Sequence, residues 1–150
     1  KEFVTVDLAK LCHDAVDYVE PLAEARDIRL GVSIPEQASL QGHRDLLFQL
    51  LINVLDNALK YAPSGSRVLL LCEQHDDKWL LRVADQGPGI PESERQRVFE
   101  RLYRLDSTRM MPGLGLGLSL VHAAVSLHHG EIALLDADPG LQVDVLLPRR

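Results

Sequence analysis

Cysteine is scarce in this chain: Cys12 and Cys72 are the two present, 60 positions apart. That spacing suits no metal knuckle, and two buried, reduced thiols of a cytosolic domain are expected. Basic residues are in deficit as well. A net charge of −6 argues against a nucleic-acid or acidic-membrane footprint. There is no long hydrophobic run. The most apolar stretch, residues 46–55, is interrupted by Gln49 and Asn53 and is too short to span a bilayer. No signal-peptide pattern, internal repeat, low-complexity run or interdomain linker is visible. What is there is a chain of 150 residues, 46% hydrophobic and 25% charged, the size and composition of one globular domain with a real core. Residues 1–150 read as a single domain. The chain opens on Lys1 rather than methionine and is expected to be part of a longer protein.

Periodicity divides the chain into elements. Residues 3–8 alternate and read as a short strand, and 11–26 carry apolar residues at helical spacing with Pro21 as a possible kink. Residues 28–34 read as a strand stopped by Pro35, and 44–62 as a long amphipathic helix ended by Pro63-Ser64-Gly65. Strands follow over 67–73 and 78–84, joined by the turn Gln74-His75-Asp76-Asp77. A Gly/Pro loop (85–91), a short helix near 92–101 and a stretch without periodicity to Pro112 come next. A helix over 117–127 and a hairpin of 131–136 with 141–147, turned at Asp138-Pro139-Gly140, close the chain. This order predicts an α+β or α/β sandwich with helices on one face of a sheet.

Four segments carry chemistry. On a wheel over 44–62, Leu47, Leu50, Leu51, Val54, Leu55, Ala58 and Ala62 fill an apolar arc. Opposite them Gln49, Asn53, Asp56, Asn57 and Lys60 form a narrow stripe. Asparagine is a poor helix former, so two of them at i and i+4 with lysine at i+7 suit a site presenting neutral oxygens and one cation to a phosphate–metal cluster. A merely polar face is the alternative. The run Asp85-Gln86-Gly87-Pro88-Gly89-Ile90-Pro91 fits an ordinary turn. It also fits a carboxylate accepting from an adenine amino group beside glycines that let the backbone approach the base. Val98 to Arg104 joins apolar anchors to Arg101 and Arg104, which are either surface residues or a phosphate fork beside a lid. Gly113-Leu114-Gly115-Leu116-Gly117-Leu118 precedes a helix, where free N–H groups hold anions. It is neither a Walker loop nor a Rossmann turn, and close helix packing is its alternative use.

Taken together and in this order, the four segments resemble the nucleotide-binding boxes of bacterial sensor histidine kinases, within the ATPase family that also includes gyrase, Hsp90 and MutL. QLLINVLDNALKYAP (49–63) resembles the asparagine box, DQGPGIP (85–91) the first glycine box, VFERLYR (98–104) the phenylalanine box and GLGLGL (113–118) the second glycine box. The likeness continues through SLVHAAVSLHHGEI and DVLLP and covers essentially the whole chain. The resemblance implies a Bergerat-type fold: a mixed sheet of about five strands backed by about three helices, with an ATP lid. It implies Mg²⁺ and ATP as cofactors, with Asn57 as the metal ligand and Asn53 orienting the metal's water shell and the phosphates. It further implies Lys60 and Tyr61 on phosphate and ribose, Asp85 on adenine, and Gly87 and Gly89 shaping the base pocket. Arg104 would meet the γ-phosphate, and the amides of Gly113, Gly115, Leu116 and Gly117 would wrap the phosphates. Asn53 and Arg104 are the catalytic candidates. Three residues depart from the pattern: Leu102 for phenylalanine, Leu114 for threonine, and His129 for the second of two helix-ending glycines, which must then tolerate a conformation natural to glycine.

The implied activity is phosphoryl transfer from ATP to a histidine in two-component signalling. The partners are a dimerising phosphoacceptor hairpin and, indirectly, a response regulator receiver domain. No Ser-His-Glu-like acceptor stretch occurs among His13, His43, His75, His122, His128 and His129. The chain is therefore expected to be an unlabelled monomer on its own, and a cytoplasmic part of a protein in the bacterial inner membrane. An anti-sigma-type serine/threonine kinase of the same fold and a non-catalytic nucleotide-binding module are the alternatives. The wider family's ATPases place a glutamate base where this chain has Asn53, so free hydrolysis is expected to be slow.

Overall fold

A computed structural model of the chain describes residues 3–85, 115–136 and 140–150. Its first strand, β1 (Val4–Asp7), ends one residue earlier than the alternation suggests. The Asp7 carboxylate accepts from the Lys10 N–H at 3.1 Å and caps a helix beginning at Leu8. That helix, α1 (Leu8–Ala25), runs through Pro21. Pro21 lies on the exposed side, where water can satisfy the carbonyl left without its helical donor.

β2 (Arg29–Ser33) is followed by β3 (Ser39–Gly42), a strand that periodicity does not reveal. Then come α2 (Arg44–Tyr61), β4 (Arg67–His75) and β5 (Lys78–Asp85). The β4–β5 turn is tighter than read from sequence: His75 pairs with Lys78 across Asp76-Asp77. The last described helix, α3 (Gly115–Leu127), begins two residues before the expected start, and β6 (Glu131–Asp136) and β7 (Leu141–Pro148) complete the chain. The expected short helix near 92–101 and the lid stretch to Pro112 lie outside the described residues.

Five strands form one mixed sheet in the order β2-β4-β5-β7-β6, parallel between β2 and β4 and antiparallel elsewhere. β1 and β3 pair separately. The three described helices cover one face of the larger sheet: α1 packs on β2, α2 on β4 and β5, α3 on β6, with α2 between the other two. Alternation then fixes which side chains are inside. Val68, Leu70 and Cys72 of β4, Trp79, Leu81 and Val83 of β5, and Val143, Val145 and Leu147 of β7 are buried against Leu47, Leu50, Leu51, Leu55 and Leu59 of α2. Each such side chain contributes about 1.5–3 kcal/mol by leaving water. The opposite face carries an ion pair, Arg82 Nε to Asp144 Oδ1 at 2.8 Å and Nη2 to Oδ2 at 3.0 Å. The hydrogen bond to Asp144 raises the Arg82 pKa further. Cys12 and Cys72 are buried free thiols, as expected. Hydrogen bonding to Cys72, and then burial, push the Cys12 thiol far above its ordinary range, which makes it inert at neutral pH.

Candidate functional site

Helix direction decides what the sheet end gathers. α2 and α3 lie side by side and run oppositely, since the His43 amide at the start of α2 bonds to the ring of His128 just beyond the end of α3. The end of α2 is therefore beside the start of α3. The same end of α2 leads within a few residues into β4, whose Val68 pairs with Asp85. Asn57, Lys60 and Tyr61, the start of α3 at Gly115, and Asp85 thus share one end of the helix–sheet layer.

Along α2 the apolar arc lies inward, and the amide stripe meets the boundary of the core. Asn57 is buried at 9% exposure. Asn53 accepts from Gln49 Nε2 at 3.2 Å through its Oδ1. Its Nδ2 is buried and has no hydrogen-bond partner among the described residues. A buried donor left so is costly and fits a phosphate oxygen or a held water. Lys60 lies 3.4 Å from Asp56, and Tyr61 is exposed at the last position of the helix. Asp85 is the final residue of β5 rather than the first of a loop, and its place in the alternation points it to the helical side. It is buried at 6% exposure.

One contributor is missed by sequence reasoning. Gly140 reads as a turn glycine, yet at φ +102° a Cβ there would overlap the carbonyl oxygen of Asp85. Its bare backbone lets the start of β7 close on the end of β5. Gly115, Leu116 and Gly117 form the first turn of α3. Gly87, Gly89, Arg104 and Gly113 lie outside the described residues, as do Leu102 and Leu114. Among the described residues no cluster of three or more His, Cys, Asp or Glu could hold a metal.

A mixed sheet with one helical face makes the chain an α/β sandwich, with amides, a lysine and a buried carboxylate gathered at one end of the layer. The chain belongs to the histidine kinase-, DNA gyrase B-, and HSP90-like ATPase family, which its residues 42–150 match. Within that family it is 38% identical over 96% of its length to the signal transduction histidine-protein kinase/phosphatase MprB of Mycobacterium leprae, and it spans 30% of that relative's length. It is similar to the solved mycobacterial sensor histidine kinase MprB, with a TM-score of 0.76 and 35% identity over 99% of this chain and 98% of that one. It shares its fold with histidine kinase ThkA, solved in complex with the response regulator TrrA, at a TM-score of 0.78 and 20% identity, over 99% of this chain and 42% of that one. ATP use follows from the family. Among the described residues no helix is long and apolar enough to cross a membrane.

Proposed function

We propose that this chain binds Mg·ATP and passes the γ-phosphoryl group to a histidine on a separate dimerising phosphoacceptor hairpin of a sensor kinase, from which a response regulator receiver domain takes it. The parent protein belongs, on this reading, to the bacterial inner membrane, with this part on the cytoplasmic side. The observation that carries the proposal is the convergence of Asn57, Lys60, Asp85 and the first turn of α3 at one end of the layer. The kinase names of the relatives favour it over an anti-sigma-type kinase.

In this reading Asp85 accepts from the adenine amino group, with Gly87 and Gly89 beside the base. Tyr61 meets the ribose, and Lys60 the phosphates. The amides of Gly113, Gly115, Leu116 and Gly117 wrap the phosphate chain, Arg104 holds the γ-phosphate, and Asn53 donates its unsatisfied Nδ2 to phosphate or its water shell. A buried neutral amide suits Asn57 to hold Mg²⁺ through Oδ1, and the metal would supply charge neutralisation at the phosphate oxygens. The acceptor imidazole attacks phosphorus with its own lone pair, the bond to the β–γ bridging oxygen breaks, and ADP leaves. No protein base is needed for that attack, which agrees with an amide at position 53.

Titration with ATP and GTP, with and without Mg²⁺, tests the binding half. Asp85→Asn is expected to weaken ATP by at least about tenfold, a loss of about 1.4 kcal/mol. Asn57→Ala should mainly abolish the Mg²⁺ dependence. Equal affinity for GTP would remove Asp85 from its role, because guanine offers a carbonyl where adenine offers the amino group. For the transfer half, labelled ATP should leave this chain unlabelled and give acid-labile, base-stable label on a supplied hairpin domain. Stoichiometric phosphohistidine on the chain alone would overturn the separation of donor and acceptor.

A further inference from the structure

At the opposite end of α2 and α3 from the proposed nucleotide site, a histidine stands in the core. His128 is 4% exposed. Its Nδ1 lies 2.7 Å from the Ala124 carbonyl oxygen, and its Nε2 accepts from the His43 backbone N–H at 2.9 Å. The Phe3 ring stacks on it at 4.9 Å between centroids and 15° between planes. Both polar partners are main-chain groups of fixed polarity, a carbonyl that can only accept and an amide that can only donate. The ring therefore has one permitted form: neutral, with the proton on Nδ1 and the lone pair on Nε2.

A second proton has nowhere to go. On Nε2 it would face the His43 N–H and leave that amide without its acceptor. Nor do the described residues around it offer a counter-charge. From β3 comes Gly42, where a Cβ would stand only 2.9 Å from Nε2. α2 brings His43, and the end of α3 brings His129, both of which act against a positive ring. Arg44 beside His43 is directed to Asp45 at 3.6 Å and Asp14 at 4.0 Å. From the N-terminal segment comes the apolar Phe3. Burial above all holds the ring below the ordinary histidine range, against the opposing pull of the Ala124 carbonyl.

We propose that His128 is a proton-released latch: neutral, it ties the start of α2 to the end of α3 and seats Phe3; protonated, it lets that junction open. The sign follows from linkage. The folded ring takes its proton less readily than an unfolded histidine, whose pKa is about 6.5. The contribution to stability is thus fully present above that value and is lost as pH falls through it toward the lower folded midpoint.

Long-range ¹H–¹⁵N spectra of the whole labelled chain between pH 8 and 5 read this directly. Expected are an Nδ1–H tautomer for His128, a midpoint below about 6.5, and loss of His43 amide protection in step with that titration. His128→Gln keeps a donor and an acceptor without the titration. Urea unfolding at pH 7.5 and 5.5 should show an acid-induced rise in the unfolding constant that is smaller in this variant by on the order of threefold. If the variant does not fold, the spectra decide alone. An Nε2–H tautomer, a midpoint at or above 6.5, or His43 protection unmoved through the titration would overturn the latch.

Discussion

Asp27, Asp76 and His129 stand at φ 58°, the left-handed region that glycine enters freely. His129 closes α3: its N–H bonds to the Ser126 carbonyl at 3.0 Å, and the Gly130 N–H reaches the Val125 carbonyl at 2.9 Å, the paired bonds of a Schellman end. The strain foreseen from histidine at a glycine position is therefore present. His129→Gly should raise stability by about 1 kcal/mol, read as a higher urea midpoint at unchanged slope. Gly140 is the opposite case. Gly140→Ala places a methyl group on the Asp85 carbonyl in a backbone conformation alanine resists. It should cost about 1–3 kcal/mol and weaken ATP binding in calorimetry. The hairpin closed just before Gly140 was legible, and β6 and β7 pair as expected, while Asp138 and Pro139 of its turn lie outside the described residues. The contact of Gly140 with Asp85 was not legible, because it joins residues 55 positions apart, and neither was the bond between His128 and His43.

At the scale of elements, α2 was the most legible. Its apolar arc is long enough to fix phase; Asn53 and Lys60 lie off that arc as the wheel put them, while Asn57, placed in the same stripe, is buried at the edge of the core. β3 was invisible because it is four residues long, and Leu40 is its one buried large side chain. Its existence depends on pairing with β1, a tertiary event with little local signal. The start of α1 was misread because Leu8 continues the alternation of β1 while Asp7 caps the helix. α2 also carries a kinetic expectation. With an amide at position 53, steady-state hydrolysis of ATP without an acceptor should be slow. Asn53→Glu should raise it toward the roughly hundredfold that a positioned base supplies. A fast Mg²⁺-dependent ATPase in the native chain would contradict the mechanism.

Across the whole molecule, the resemblance implied a mixed five-strand sheet backed by helices, and the sheet has that composition. Strand order was beyond periodicity: β7, from the end of the chain, lies between β5 and β6, and β2 joins as a parallel edge. The opposed directions of α2 and α3 extend this into electrostatics. An α-helix carries about half a unit of positive charge at its start and as much negative charge at its end. Here the negative end of α2 and the positive end of α3 stand side by side, so the two helices add a local electric dipole to the charges of the side chains there. Such a field favours a partly neutralised cation–anion package over either ion alone. A bare polyanion gains from one pole and is repelled by the other. Sulfate or metal-free triphosphate should consequently compete poorly with Mg·ATP, and their binding should be the more sensitive to ionic strength.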